Sequence, residues 1–352
     1  MAQLINPEEK SPIVIIGAGS IVNDAHLPAY AMAGFEVSGI FDLDKDKAAA
    51  TAKKFGVPTV CDSLADLVAL AQEKKCVYDM ALPASAIISS LEQLPDDIGI
   101  LIQKPMGENL KEARQILEIC RQKRLTAGIN FQLRHSPHVV EARKMIDAGK
   151  IGDVYDINVR VTVYTPWNNW TFLFDIPRVE ILYHSIHYID LIRSFMGEPD
   201  SVYARTIKHP KMPQLASTKS SIILDYGDMK RATISTNHGH DFGPEKQESS
   251  VKIEGTEGAI KMQIGVNLNY PKGLPDTFEY CILSEGQSWH TLDLDGNWFI
   301  EAFPGPMAGL MKKVKNPEYD YINSVEDAIH TMELVSACHI SSDRGGVKLS
   351  EV

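Results

Sequence analysis

At 352 residues the chain is too long for one ordinary hydrophobic core, and its 44% hydrophobic content is enough to fill two. The formal net charge of -11, with no block of like charges, argues against a nucleic-acid partner. Five scattered cysteines without a CxxC argue against a disulfide framework or zinc ribbon; no run of about 18 apolar residues suggests a membrane span, and Gln3 to Lys10 is too polar for a signal peptide. A soluble cytoplasmic protein is expected, in which the sequon Asn169-Trp170-Thr171 would be idle.

The first stretch alternates buried strands with amphipathic helices. Ile13 to Ile16 reads as a strand, Ala25 to Ala33 as a short helix, and Glu36 to Phe41 as a second strand closing at Asp42. Asp46 to Phe55 is a helix stopped by Gly56 and Pro58, and Asp62-Ser63 caps the next, through Ala71. Strands follow at Tyr78 to Leu82 and Ile98 to Ile102, then a helix over Leu110 to Arg124 and a strand over Thr126 to Asn130. This rhythm implies a parallel sheet covered on both faces.

Two motifs sit on that scaffold. Gly17-Ala18-Gly19-Ser20-Ile21-Val22 fits G-x-G-x-x-G except at its last position, directly after a strand and before a helix. The first glycine permits the tight turn and the second lets a pyrophosphate approach the backbone. Asp42, at the end of the second strand, would accept hydrogen bonds from ribose hydroxyls and repel a 2′-phosphate, so NAD is favoured over NADP. Lys104 follows the strand Ile98 to Ile102 and belongs at the carboxyl edge of the sheet, where ligands bind. An ammonium there can orient a hydroxyl, hold a carbonyl or relay a proton.

After Asn130 the rhythm changes. His138 to Ala148 is helical, Val154 to Tyr164 a long strand, and Val179 to Met196 a helix closed by Gly197. From Ser201 hairpins dominate: Ser220 to Tyr226 with Arg231 to Thr236, Val251 to Glu254 with Ala259 to Ile264, and Tyr280 to Leu283 with Trp289 to Leu294. A last helix covers Val325 to Ser342. The boundary falls near 125 to 135, giving domains over 1–128 and 129–352, with the last helix able to pack back on the first. The expected fold is α/β: a doubly wound parallel sheet followed by an α+β domain with a large, mostly antiparallel open sheet.

On the helix from Val179, α-helical spacing places Tyr183, His187 and Asp190 on one face and Glu180, His184 and His187 on an adjacent one. A histidine is a natural proton partner for an alcohol being oxidised. No H-E-x-x-H or further ligand set accompanies His184 and His187, so no metal is expected. Trp167 and Trp170, with Asn168 and Asn169 between them, offer indoles to stack on a sugar ring and amides to bond its hydroxyls, or a plain interface. Arg134 and Arg178 could grip an acidic group or form ion pairs.

Taken together, Gly17-Ala18-Gly19 with His26-Leu27-Pro28-Ala29, Gln103-Lys104-Pro105, His187-Tyr188-Ile189-Asp190 and Ser324 to Ala328 resemble the Gfo/Idh/MocA family, the glucose–fructose oxidoreductase and inositol dehydrogenase group, nearly end to end. The resemblance implies a Rossmann domain joined to an open antiparallel α/β domain, NAD or NADP, and sugar, polyol or cyclitol substrates. It makes Lys104 and His187 the catalytic pair, with Tyr183 and His184 beside them. It implies cofactor contacts from Gly17, Gly19, Ser20, Ile21, Asp42, Pro83, Gln103 and Lys104, and substrate contacts from Lys104, Asn130, Arg134, Trp167, Trp170 and His187. Homodimers or homotetramers through the second sheet are implied too. Two departures stand out: Gln103 where the family usually has Glu, and Tyr183 where it often has Asp. A redox-neutral glycoside-cleaving enzyme that retains its NAD and a non-catalytic dinucleotide or sugar sensor remain the alternatives.

Overall fold

The computed structural model describes residues 5–351; Gln3 and Leu4 of the polar N-terminal stretch lie outside the described residues. The chain forms two compact units. The first comprises residues up to His135 and 299–332, the second 136–298 and 333 onward.

The first unit is built on a five-stranded parallel sheet: β1 (Ile13–Ile16), β2 (Val37–Phe41), β3 (Val77–Met80), β4 (Gly99–Ile102) and β5 (Thr126–Ile129), in the order β2-β1-β3-β4-β5. Strands β1, β3 and β4 are buried along their whole length, as expected of a sheet covered on both faces. The helices are α1 (Leu27–Ala33), α2 (Lys45–Phe55), α3 (Leu64–Lys74), α4 (Ile87–Gln93) and α5 (Leu110–Gln122). Local chemistry sets their ends. Asp44 accepts from the Lys47 N–H to start α2, and Gly56 ends it in a left-handed conformation. Ser63, one of the two cap residues the sequence offers, accepts from Asp66 N–H to start α3.

The helix after the Gly-rich turn begins earlier than Ala25. Residues 20–21 are already helical, and Val22–His26 form a π turn before α1. Helix α4 and a later helix, α8 (Pro304–Lys315), carry no clear signal in the sequence.

The second unit holds α6 (Pro137–Asp147), β6 (Val154–Thr162), a π turn over Ile181–Ser185 leading into α7 (Ile186–Met196), and strands β7 (Ser201–Ile207), β8 (Lys219–Asp225), β9 (Arg231–Asn237), β10 (Glu248–Gly255), β11 (Gly258–Gln263), β12 (Thr277–Ile282) and β13 (His290–Thr291). They form one eight-stranded sheet in the order β13-β12-β11-β10-β6-β9-β8-β7. Every pairing is antiparallel except β6 with β9, which run parallel. Side chains alternate: Ile157, Val159 and Val161 of β6 are buried while their neighbours point outward. The strand expected over Trp289 to Leu294 shrinks to two residues because Asp293, Asp295 and Gly296 favour a turn. The last helix, α9, runs Val325–Arg344. Among the described residues no helix is long and apolar enough to cross a membrane.

Candidate active site

In the first unit the sheet's carboxyl edge gathers the dinucleotide motif. Gly17 has φ +104°, and a Cβ on it would lie 2.5 Å from the Ala81 carbonyl oxygen, so only glycine fits. Gly19 faces open space: a Cβ placed on it would meet nothing within 4 Å. Ser20 is exposed, Ile21 half-buried, and Val22, which stands where a third glycine would ease packing, is buried in the π turn. Asn23 locks this turn: its amide donates to the Ala18 and Gly19 carbonyls, each at 3.1 Å, and to Thr51 Oγ1 at 3.0 Å.

Asp42 ties the end of β2 to the same turn. Its Oδ2 accepts from Ala18 N–H at 2.7 Å and its Oδ1 from Asp44 N–H at 2.9 Å. A carboxylate offers about four lone-pair directions, so acceptor capacity is left for ribose hydroxyls. The residues therefore fit a dinucleotide: an open backbone approach at Gly19 and an anchored carboxylate at the second strand. Pro83 is exposed just after β3.

Gln103 and Lys104 follow β4. Lys104 is half-buried, its peptide to Pro105 is cis, and burial pulls its ammonium down to about 8 from 10.5. Asn130, after β5, is buried and donates to Gln103 Oε1 at 3.0 Å. Arg134 is committed within the unit: it donates to the Ile322 carbonyl at 2.6 Å and pairs with Asp327 at 2.8 Å. The alternative of an ion pair is thus the one found for Arg134, and Arg178 likewise pairs with Asp343 in the second unit.

In the second unit the remaining candidates surround the start of α7. The π turn over Ile181–Ser185 carries about one residue more per turn than an α-helix, so residues ahead of it do not keep α spacing with those behind. His187 and Asp190 are buried; Tyr183 and His184 are half-buried. The His187 ring meets Trp298 edge-on at 5.1 Å, and Tyr183 meets Phe172 at 5.9 Å. Trp167 packs 5.0 Å from His184, whose ring lies 4.5 Å from that of His238; Trp170 packs on Tyr270 instead.

His238 was not among the sequence candidates, but its ring lies against two of them, 5.5 Å from Trp167 and 4.5 Å from His184. Its Nε2 lies 3.3 Å from Glu180 Oε1 and its Nδ1 2.9 Å from Thr165 Oγ1. Glu180 also accepts from Ser185 Oγ at 2.8 Å. Burial pushes the Glu180 carboxyl up, but the His238 imidazole and nearby hydroxyls hold it below its ordinary value. Thr165 and Trp167 line a cavity of about 250 Å³ together with His209, Lys211 and Gly239. The signal in the sequence was the run Asn237-His238-Gly239-His240 at a strand end, which carries polar groups where an apolar hairpin would not need them. Among the described residues no three His, Cys, Asp or Glu side chains gather into a metal cluster.

Comparison with known proteins bears on both units. Residues 12–131 match an oxidoreductase family with an NAD-binding Rossmann fold, and residues 139–261 match the GFO/IDH/MocA C-terminal domain, together more than half of the chain. The oxidoreductase YceM of Salmonella typhimurium is 32% identical over 126 residues, which are 36% of this chain and 40% of that protein, so the match spans less than half of its length. The 1,5-anhydro-D-fructose reductase of Ensifer adhaerens is 23% identical across 70% of this chain and 74% of its own. The inositol 2-dehydrogenase of Rhizobium meliloti is 26% identical across 46% and 48%. An Agrobacterium radiobacter oxidoreductase, solved in complex with NAD+, L-tartaric acid and magnesium, shares the fold with a TM-score of 0.77 at 18% identity, over 96% of this chain and 97% of that one. An aldose-aldose oxidoreductase from Caulobacter crescentus does so with a TM-score of 0.77 at 14% identity, over 97% of this chain and 100% of that one. A Gly-rich turn in an NAD-binding Rossmann unit and a matching C-terminal domain on a mostly antiparallel sheet leave one conclusion: the chain belongs to the Gfo/Idh/MocA family of NAD-binding oxidoreductases.

Proposed function

We propose that the protein is an NAD-dependent dehydrogenase acting on a CH–OH group of a sugar, sugar derivative or cyclic polyol. The observation that carries this reading is the placement of Lys104, directly after β4, on the same carboxyl edge of the parallel sheet as the Gly17–Gly19 turn after β1. The first unit holds the cofactor through Gly17, Gly19, Ser20, Ile21, Asp42, Pro83 and Gln103. The second supplies substrate contacts from Trp167 and Trp170, and an acid–base residue. NAD, when bound, supplies the hydride acceptor; the protein supplies geometry and charge. Lys104 polarises the substrate oxygen, and His187 takes the hydroxyl proton, with Tyr183 and His184 beside it. The Asp42 carboxylate selects NAD by repelling a 2′-phosphate. Relatives whose names specify inositol and anhydrofructose support cyclic, hydroxyl-rich substrates.

The free, mostly buried cysteines suit a reducing cytoplasm. Exposed Tyr203, Ile207 and Ile223 on β7 and β8 favour a homodimer or homotetramer through that sheet. The test is NADH formation, read by absorbance, with NAD or NADP and a panel of sugars, inositols and sugar acids. NADH from one substrate class with NAD supports the reading. Protein that binds NAD tightly yet forms no NADH across the panel overturns it in favour of a redox-neutral glycoside-cleaving enzyme or a sensor.

A further inference from the structure

Behind the carboxyl edge of the first sheet a buried run of polar side chains leads to Gln103. Asp79 of β3 is fully buried. Its Oδ2 accepts from Tyr30 OH at 2.9 Å and lies 2.7 Å from His26 Nδ1. His26, 1% exposed in the π turn, has its Nε2 3.3 Å from Asn130 Nδ2, and that nitrogen also donates to Gln103 Oε1 at 3.0 Å.

The donor and acceptor roles along this run follow from Asn130. Its amide nitrogen only donates, so the His26 Nε2 that it faces accepts and the ring's proton stands on Nδ1, against Asp79 Oδ2. The second N–H of that amide meets Gln103 Oε1. Asn130 Oδ1 is buried with no hydrogen-bond partner, so the contacts that hold this amide are the two made by its nitrogen. With Gln103 Oε1 held inward, the end it presents beside Lys104 is its N–H₂.

We propose that Asp79, His26 and Asn130 are positioning residues that fix the amide of Gln103, so that an N–H donor and not an oxygen meets the bound dinucleotide. This rests on the dinucleotide reading of the edge. Each buried polar group holds the next in a single orientation, and the last contacts the cofactor.

NAD affinity, read by quenching of protein fluorescence, tests it as a double-mutant cycle. Gln103→Glu replaces the outward donor with an oxygen, and NAD should bind about tenfold more weakly. Asn130→Leu removes the N–H that holds Gln103 Oε1 inward, so the Gln103 amide is free to turn over and a several-fold loss of NAD affinity is expected. In the double variant position 103 presents an oxygen whichever way it turns, so its affinity should match that of Gln103→Glu alone. Additive losses, or an Asn130→Leu variant with wild-type affinity, would overturn the inference. A second readout needs no folded variant at Asn130: the histidine ¹⁵N spectrum of the wild type near neutral pH should show His26 neutral with its proton on Nδ1, and the other tautomer or a doubly protonated ring would sink it. Wild-type protein that binds no NAD removes the dinucleotide reading and this inference together, whereas NAD binding with additive losses removes the inference alone.

Discussion

Gly17 and Gly19 are two residues apart and do different work. At Gly17 the left-handed backbone and the Ala81 carbonyl 2.5 Å from a Cβ leave no room. Gly17→Ala should lower Tm and abolish NAD binding together. Around Gly19 there is space, so Gly19→Ala should keep the wild-type Tm while NAD affinity falls, because the methyl stands where the pyrophosphate approaches. Thermal melts paired with NAD titrations separate the two, and equal effects at both positions would refute the assignment. Lys104 gives a second pair of outcomes. Its folded pKa of about 8 lies below the free value of 10.5, so the ammonium is the costly form. Below pH 8 it is charged in both states and the fold carries roughly 3 kcal/mol of penalty, which disappears as pH rises from 8 to 10.5. Lys104→Met should therefore raise Tm by a few degrees at neutral pH while turnover falls about a hundredfold. Because the working form is the ammonium, wild-type turnover should decline above pH 8, and a rise there would show a base instead.

Among elements, the two π turns matter most for the candidate site. The first carries His26 and the second leads from Glu180 to Ser185. Neither is legible in a pattern read at 3.6 residues per turn, so α spacing assigns faces that the extra residue disrupts. Glu180 has a folded pKa held below its ordinary 4.5. Its stabilising contribution is complete above pH 4.5 and is lost as pH falls through the folded value. Wild type should thus lose Tm on acidification more steeply than Glu180→Gln, which starts lower at neutral pH; parallel curves would show that the His238–Glu180 pair contributes nothing. The strand–helix alternation, the caps at Ser63 and Gly56, and the hairpins were readable because each rests on local chemistry. Helix α8 was not. It opens Pro304-Gly305-Pro306 and includes Gly309, all poor helix formers. Packing overrides propensity there: a Cβ on Gly305 would strike His135 at 2.4 Å and one on Gly309 would meet Tyr321 at 2.9 Å. His26 and Asn130, which meet across 104 residues, and His238 with Glu180, 58 apart, leave no trace in local pattern either.

At the scale of the whole molecule, the first unit is discontinuous. Its parallel sheet is packed on β4 and β5 by α8, which belongs to the returning residues 299–332. Asn323 accepts from Ile129 N–H at 2.8 Å through its carbonyl, and Asn323 Oδ1 meets His135 Nε2 at 2.6 Å. A fragment ending at His135 keeps the Gly-rich turn, Asp42 and Lys104 but exposes the surface that α8 covers. It should show no cooperative melt and no NAD binding by calorimetry. A folded, NAD-binding fragment would show that the returning segment is dispensable.

The interruption also sets an order of events on the ribosome. Every residue proposed to touch NAD has left the exit tunnel long before residue 299 is added, yet the sheet that carries them lacks the part of its cover that α8 supplies on β4 and β5 until then. The nascent chain passes through a period in which a nearly finished parallel sheet stands partly bare while the second unit's strands are still being made. Chaperones that bind exposed apolar strands would find their client in that interval, and cofactor binding would mark its close.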